Sequence, residues 1–340
     1  MVDIACRSVA ANGIRLHIAE AGPSDGPCII LCHGFPESWY SWRHQLRALG
    51  EAGYHVVAPD MRGFGRSSHP VEVSAFTQPK LVGDMVGLLA ALPHKTAIIA
   101  GHDWGAPVAW NAALFRPDLF PAVVGLSVPY YGARTTFTYD HTIPPSESMR
   151  REVGPNGFHY QLYFSQIGRA ERDIEKDVRG WLGRFFHTLS ADAPPGEVKL
   201  AELTNTSRLE DGFAWPKARP AWMTDADLDH YVTEFERTGF ASALNYYRAA
   251  DLTWHEMAPW RGAHIKVPAA FIAGDRDVVV LANPDIVQNF PKEVPDLRGN
   301  TLIPNCGHWT QQERPEETNR FLIDFLKDVT SDGRTGRKAG

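Results

Sequence analysis

The segment 96–110 limits the possible folds of this chain more than any other part of it. It reads Thr-Ala-Ile-Ile-Ala-Gly-His-Asp-Trp-Gly-Ala-Pro-Val-Ala-Trp, a short apolar strand that runs into small residues and then into a helical pattern. Small residues flank Asp103 because a sharp turn from strand to helix leaves no room for side chains beside it. The segment therefore predicts a nucleophile elbow with Asp103 at its tip.

The identity of the central residue limits the reactions that such an elbow can catalyse. An elbow of this kind usually carries serine, whereas a carboxylate attacks carbon and forms an ester of the enzyme's own side chain. Asp103 therefore argues against ordinary esterases and proteases. The alternative is that the two glycines merely start a helix close to a strand, with Asp103 as its N-cap. A base, an acid and an oxyanion site at neighbouring strand ends would favour the elbow.

Composition excludes several classes of protein. The chain has 340 residues, 44% hydrophobic and 22% charged, and a formal net charge of −6 without basic clusters, so neither nucleic acid nor an anionic membrane is expected as a partner. No signal-like N-terminus and no run of about 18 apolar residues occurs, which predicts a cytoplasmic protein. Cys6, Cys28, Cys32 and Cys306 are predicted to be reduced and structural, and no metal site is expected.

A second loop that could take part in catalysis follows the apolar run 27–32. This loop, His33-Gly34-Phe35-Pro36, comes at the carboxyl end of a predicted buried strand, where open α/β sheets bind ligands. Such a loop and the residue after the nucleophile can each supply a backbone donor for an oxyanion. We therefore expect the N–H groups of Phe35 and Trp104 to form the oxyanion hole. The alternative is a plain turn with a packed histidine.

Two later predicted strands are each followed by a further candidate catalytic residue. The apolar run 268–273 leads to Asp277, and the run 300–304 leads to His308. Asp277 alone could be a turn residue, and His308 alone could be a packed loop histidine. Together with Asp103 they stand in the order nucleophile, acid, histidine, which resembles the order of the α/β-hydrolases. We therefore predict a triad of Asp103, Asp277 and His308.

The pattern of strands and helices predicts the domain organisation. Buried strands alternate with amphipathic helices up to residue 129 and again from 253, whereas 130–252 reads as helices and loops without a buried strand. This indicates an α/β fold, a mostly parallel sheet flanked by helices, with an inserted helical cap. The predicted core is 1–129 and 253–330, the predicted cap is 130–252, and 331–340 is predicted to be a disordered tail.

Three motifs carry a family resemblance. The segments 33–43 (His-Gly-Phe-Pro-Glu-Ser-Trp-Tyr-Ser-Trp-Arg), 101–106 (Gly-His-Asp-Trp-Gly-Ala) and 306–309 (Cys-Gly-His-Trp) resemble those of epoxide hydrolases of the α/β-hydrolase fold. The resemblance covers nearly the whole chain. It implies hydrolysis of a small apolar epoxide to a vicinal diol, with Asp103 as nucleophile, water activated by His308 and Asp277, and no cofactor. It also assigns Phe35, Trp104, Phe158 and Gln161 to the substrate site.

The resemblance further implies two cap tyrosines that donate to the epoxide oxygen, with a pKa near 10. They fall at Tyr160 and Tyr247, but each has a neighbour, Tyr163 and Tyr246, and the choice rests on the family pattern. On a helix Tyr246 points about 100° away from Tyr247, which favours Tyr247 if Leu244 faces inward. The alternative is that all four tyrosines pack the cap.

Other functions stay open at this point. A haloalkane dehalogenase also uses Asp followed by Trp, but it needs halide donors, and the Phe35 side chain has none; a tryptophan such as Trp181 could substitute. A non-catalytic binding protein would lack a catalytic residue, and none is missing. Ester hydrolysis is disfavoured because Asp103 would have to form an anhydride. The oligomeric state is undetermined, a homodimer being compatible with the sequence.

Overall fold

The computed structural model describes residues 2–132, 140–216, 219–282, 290 and 292–331. Their centre is an eight-stranded sheet with the strand order β1-β2-β4-β3-β5-β6-β7-β8. The strands are β1 Ala5–Ala11, β2 Ile14–Ala21, β3 Cys28–Cys32, β4 His55–Pro59, β5 Ile98–His102, β6 Val123–Leu126, β7 Ala269–Gly274 and β8 Leu297–Ile303.

Only the first two strands depart from a parallel arrangement. The β1–β2 hairpin is antiparallel and turns at Asn12 and Gly13, whose φ values of 49° and 76° are those of the left-handed region. β2 also runs antiparallel to β4, while every pair from β4 to β8 is parallel. The sheet is therefore mostly parallel, as the sequence predicted.

The central strands have no solvent-exposed face. All residues of β3, β4, β5, β6 and β7 are buried. Along β3 the side chains alternate between the two layers of the core, Ile30 and Cys32 on one face and Ile29 and Leu31 on the other. This explains why these strands read as continuous apolar runs instead of alternating patterns.

Helices cover the sheet, and a further set of helices comes after β6 and before β7 in the chain. The helices beside the sheet are α1 Arg43–Glu51, α2 Gln78–Ala90 and α3 Gly105–Phe115, and, after β7, α11 Val278–Ala282, α12 Thr310–Glu313 and α13 Pro315–Ser331. Between β6 and β7 lie α4 Pro145–Val153, α5 Tyr160–Ser165, α6 Arg169–Ile174, α7 Val178–Thr188, α8 Asp225–Thr238, α9 Asn245–Arg248 and α10 Ala250–Glu256. The division into core and cap stays a prediction, and 332–340 of the predicted tail lies outside the described residues.

Several strand bounds differ by one to three residues from those predicted. The apolar run 96–100 predicts a strand at those residues, whereas β5 begins at Ile98 and ends at His102, because His102 still pairs with Leu126 in the parallel ladder. β8 begins three residues before the predicted 300–304. This last strand of the sheet has half-exposed and exposed residues, so its apolar pattern marks only part of it. No helix among the described residues has the length and apolar character required to span a membrane.

Candidate active site

The turn between β5 and α3 holds Asp103 in a conformation that few side chains adopt. Its φ is 49°, in the left-handed region. Only glycine fits at the two flanking positions without steric overlap. A Cβ on Gly101 would lie 2.0 Å from the Gly105 oxygen, and one on Gly105 would lie 2.2 Å from the Cys32 oxygen. Trp104, and not Asp103, is the residue that precedes the helix. Asp103 is therefore the tip of a tight elbow and not an ordinary N-cap.

The loop after β3 holds the Asp103 carboxylate from the other side. The backbone N–H of Phe35 donates to Oδ1 of Asp103 over 2.8 Å. A Cβ at Gly34 would lie 2.3 Å from the same oxygen, so only glycine lets the loop come this close. Trp104, whose N–H is the other expected oxyanion donor, lies at the start of α3, where backbone N–H groups have no partner within the helix. The assignment of both N–H groups as oxyanion donors stays a prediction.

The structure brings the three triad candidates together. Nε2 of His308 lies 3.6 Å from Oδ2 of Asp103, and Nδ1 of His308 lies 3.1 Å from Oδ1 of Asp277. Burial alone would lower the pKa of His308, but the two carboxylates outweigh burial and raise it well above 6.5. Asp277 is fully buried, and Val279 N–H also donates to its Oδ1 over 2.9 Å. The histidine is thus aligned between two carboxylates.

Sequence reasoning missed one polar partner of this histidine. Oγ of Ser127 lies 3.0 Å from Nδ1 of His308, and Ser127 has a φ of 67° just after β6. Its position directly after a buried strand is a signal that could have identified it, because such positions line the ligand-binding edge of the sheet. Ser127 and Asp277 therefore both meet the same imidazole nitrogen.

The buried pair of Glu37 and His102 packs beneath the Asp103 elbow. Sequence reasoning did not identify this pair either. Oε2 of Glu37 lies 2.8 Å from Nδ1 of His102 and accepts the Gly34 N–H over 3.1 Å. The other ring nitrogen of His102 donates to the carbonyl of His308 over 2.8 Å. The pair thus joins the oxyanion loop, the elbow and the loop of His308. Burial alone would raise the pKa of Glu37, but the charge and hydrogen bond of His102 outweigh it and lower the pKa to about 2.

This depressed pKa predicts how stability depends on pH. Because the folded-state pKa lies below the ordinary 4.5, ionised Glu37 stabilises the fold above that pH and loses this effect as the pH falls toward about 2. We expect the destabilisation caused by Glu37→Gln to be largest near neutral pH and to shrink by up to ~3 kcal/mol across this window. Chemical denaturation at several pH values measures it, with exposed Glu317→Gln as control. An equal loss at every pH would contradict the expectation.

A cavity of about 370 Å³ lies above the triad. Asp103 and His308 form part of its wall, together with all residues predicted for the substrate site, which are Phe35, Trp104, Phe158 and Gln161. Most of the lining is aromatic or aliphatic, which suits an apolar ligand. Two further polar side chains that sequence reasoning did not single out, Glu152 and His159, also line it. Burial lowers the pKa of His159 to about 4 and raises that of Glu152.

The two tyrosines of each pair have different surroundings. Tyr160 and Tyr247 line the cavity, and their ring centres are 6.2 Å apart. The hydroxyl of Tyr163 donates instead to Asp173 over 2.7 Å, and that of Tyr246 donates to the carbonyl of Arg62 over 3.2 Å. Both of these neighbours are buried away from the cavity lining. The choice of Tyr160 and Tyr247 as donors stays a prediction.

The expected phenol pKa near 10 is wrong for these two residues. Desolvation by the surrounding protein raises the pKa of Tyr160 to about 12 and that of Tyr247 well above 10, and the negative charge of Asp103 adds to both shifts. Both phenols therefore carry their protons at neutral pH. The Gln161 amide donates to the phenol oxygen of Tyr160 over 3.0 Å, and the Trp104 ring lies edge-on to the Tyr247 ring with centres 5.0 Å apart.

Comparisons with known proteins agree with this geometry. A family model described as alpha/beta hydrolase fold matches residues 27–315. The chain is 40% identical to Epoxide hydrolase B of Mycobacterium tuberculosis, over 94% of this chain and 97% of that protein. It is 41% identical to Epoxide hydrolase A of the same organism, over 94% of this chain and 96% of the relative.

Solved structures extend the similarity to three dimensions. An epoxide hydrolase from an endophytic Streptomyces superposes with a TM-score of 0.89 at 43% identity, covering 96% of each chain. Epoxide Hydrolase A from Mycobacterium thermoresistibile gives a TM-score of 0.88 at 41% identity, covering 96% of this chain and 98% of the other. With this identity over nearly its whole length, the chain belongs to the epoxide hydrolases of the α/β-hydrolase fold.

Proposed function

We propose that this member of the family hydrolyses an apolar epoxide to a vicinal diol through an ester on Asp103. The observation that carries the proposal is the arrangement of one cavity, in which the Asp103 carboxylate and two protonated phenols lie on the same mostly apolar wall. Opening the ring needs attack on carbon and a proton for the oxygen at the same time, since an alkoxide would otherwise be left. Asp103 supplies the attack, and Tyr160 and Tyr247 supply the proton.

The contacts around the two phenols support this role. Because the Gln161 amide donates to the oxygen of Tyr160, the hydroxyl hydrogen of Tyr160 is free to point at a substrate. The Trp104 ring packs edge-on against the Tyr247 ring, with centres 5.0 Å apart, and holds it at the cavity wall. The two rings line the same cavity with centres 6.2 Å apart, and we expect both hydroxyls to donate to one epoxide oxygen. Gln161 and Trp104 thus act as positioning residues for the two donors.

His308 has different roles in the two steps of the reaction, which are ring opening and hydrolysis of the ester. In the free protein the carboxylates of Asp103 and Asp277 both raise the pKa of His308, so the imidazole is protonated and pairs with the nucleophile. Formation of the ester removes the charge of Asp103 and with it part of this effect. The pKa of His308 then falls, and the imidazole can accept a proton from the water that attacks the ester carbonyl. Asp277 stabilises the imidazolium that forms.

In the second step, hydrolysis of the ester, negative charge develops on an oxygen of the former Asp103 carboxylate. The Phe35 N–H already donates to Oδ1 of Asp103, and the Trp104 N–H at the start of α3 would be the second donor. Losing one such donor typically costs about 3 kcal/mol of transition-state stabilisation. The helices between β6 and β7 form the proposed cap, which supplies both tyrosines. The cytoplasmic location and the homodimer stay predictions from the sequence.

The dehalogenase alternative is less well supported by these contacts. A halide needs donors in the cavity besides the Trp104 indole, and the side chain of Phe35, which lines the cavity, has none. Trp181, which could have substituted, packs in the core and does not belong to the cavity lining. The complete set of Asp103, Asp277 and His308 likewise argues against a protein that has lost catalysis.

Product analysis tests the proposal. Purified protein is offered styrene oxide and 1-bromohexane in parallel, and we expect diol from the first without bromide from the second. A single turnover in water labelled with ¹⁸O should give unlabelled diol, because the new oxygen comes from the Asp103 carboxylate, and label should appear in the protein. Bromide without diol would assign a dehalogenase. Labelled diol in the first turnover would mean direct attack by water and would overturn the ester.

A further inference from the structure

Three metal-ligating side chains meet at the end of the sheet opposite to the triad. Cys28 begins β3 and His55 begins β4, and the parallel register pairs these two residues. His94 follows in the turn between α2 and β5. One ligand atom from each, the thiol sulfur and two ring nitrogens, lies within 4.8 Å of the others. The sequence predicted Cys28 as a packed thiol, because only the sheet register brings it beside the histidines.

The surroundings of His55 are those of a metal ligand. Its Nε2 lies 3.3 Å from Oε1 of Glu20, while its Nδ1 lies 2.7 Å from Nε2 of His94. With the Nε2 proton facing this carboxylate, the Nδ1 lone pair of His55 points into the cluster. Ligating histidines in proteins almost always donate their other N–H to a carboxylate or carbonyl in this way. Arg7 in turn holds Glu20 through both carboxylate oxygens.

We propose that Cys28, His55 and His94 bind a zinc ion, with water as the fourth ligand. One thiolate and two imidazoles form a donor set that suits Zn²⁺ and disfavours Mg²⁺ and Ca²⁺, which prefer oxygen. Tetrahedral zinc bonds of about 2.0 Å to nitrogen and 2.3 Å to sulfur set the ligand atoms roughly 3.3–3.6 Å apart. The 2.7 Å between the two imidazole nitrogens must therefore widen. His94 lies in a turn and is only partly buried, so it is the residue that can move.

A cleft gives the ion and its water a route to the site. Its wall includes Glu20, Gly22, Gly50, His55 and Pro93, and it opens to solvent. Binding releases the thiol proton of Cys28, while the proton between the two imidazoles passes to the other nitrogen of His94. One proton thus leaves for each zinc bound. The hydrogen bond between the two imidazoles and the S–H bond of Cys28 are lost, and two Zn–N bonds and one Zn–S bond form.

The site is separate from the reaction. Cys28 and Cys32 are the two ends of β3, about 13 Å apart at 3.3 Å per residue, and the triad lies beyond the Cys32 end. A zinc ion would join the starts of two core strands to the turn before β5, the strand that carries the nucleophile. Its expected effect is therefore on stability and not on the chemical step.

Metal titration tests the inference. Protein treated with a chelator is titrated with Zn²⁺ against a chromophoric indicator, and its thermal unfolding is followed with and without Zn²⁺. We expect one equivalent to bind and the unfolding midpoint to rise, since a ligand that binds only the folded state stabilises it. Replacing Zn²⁺ by Co²⁺ should give the visible bands of a four-coordinate ion and a thiolate-to-cobalt charge-transfer band.

Variants identify the ligands. Cys28→Ala should abolish the charge-transfer band, whereas Cys6→Ala, at an exposed thiol outside the cluster, should keep it. His94→Gln, in a partly exposed turn where folding is not at risk, should weaken zinc binding at least tenfold. Glu20→Gln should weaken it about 10-fold to 100-fold, as loss of a carboxylate behind a ligating histidine does. No stoichiometric binding by the wild type, or unchanged affinity in His94→Gln, would overturn the inference.

Discussion

Replacing His308 with glutamine should leave a covalent adduct on Asp103 after exposure to an epoxide. Ring opening needs only the carboxylate and the two phenols, whereas hydrolysis of the ester needs the imidazole as base. Steady-state turnover should fall by ~10³-fold or more, within the range expected for loss of a general base. Intact-protein mass spectrometry should show a mass increase equal to one substrate molecule. Peptide mapping should assign it to the peptide that contains Asp103.

The control for this experiment is Asp103→Asn, which keeps the shape of the elbow but removes the nucleophilic carboxylate. This variant should remain unmodified under the same exposure. An unmodified His308→Gln protein would show that the imidazole is needed for ring opening. An adduct on a different residue would remove Asp103 from its proposed role. The first result would contradict the role proposed for His308, and the second would contradict the role proposed for Asp103.

Replacing Tyr160 and Tyr247 together with phenylalanine should abolish ring opening while the protein stays folded. Each substitution removes one hydroxyl but keeps the ring, so the contacts among Tyr160, Tyr247 and Phe164 persist. Each single variant should lose about 10² in turnover, and the double variant should fall to the background rate, because no proton donor remains for the alkoxide. Turnover and circular dichroism measure the two outcomes.

The neighbouring tyrosines provide matched controls. Tyr163→Phe and Tyr246→Phe lose hydroxyls that donate to Asp173 and to the Arg62 carbonyl, so they should change stability more than turnover. Introducing the double substitution into His308→Gln separates the steps, since no adduct should form when ring opening itself has stopped. An adduct that forms at the normal rate in this triple variant would refute the tyrosine assignment.

The sequence was a good guide wherever the relevant signal was local. Continuous apolar runs predicted the buried strands of the parallel sheet, because each strand is covered on both faces by its own layer of core residues. The polar residues placed directly after those runs were the candidates for chemistry, and the structure brings Asp103, Asp277 and His308 to one edge. Parallel strands end at the same edge, so this convergence follows from strand direction alone.

Contacts between distant segments could not be read in the same way. The pair Glu37 and His102 is separated by 65 residues, and the contact between Ser127 and His308 spans 181. Neither partner has a local pattern that names the other. The selection of one tyrosine from each pair is similar, since α5 and α9 are short helices whose side-chain directions depend on what they pack against.

The sequence by itself thus determined the α/β architecture, the elbow at Asp103 and the order of the candidate triad, because periodicity and small residues act over a few positions. Only the tertiary structure decided the shape of the cavity, which tyrosines face it, and the meeting of Cys28, His55 and His94. Those features depend on strand order, and β3 lies between β4 and β5 in the sheet although it precedes both in the chain. Such neighbours arise from packing the whole core, which no single segment specifies.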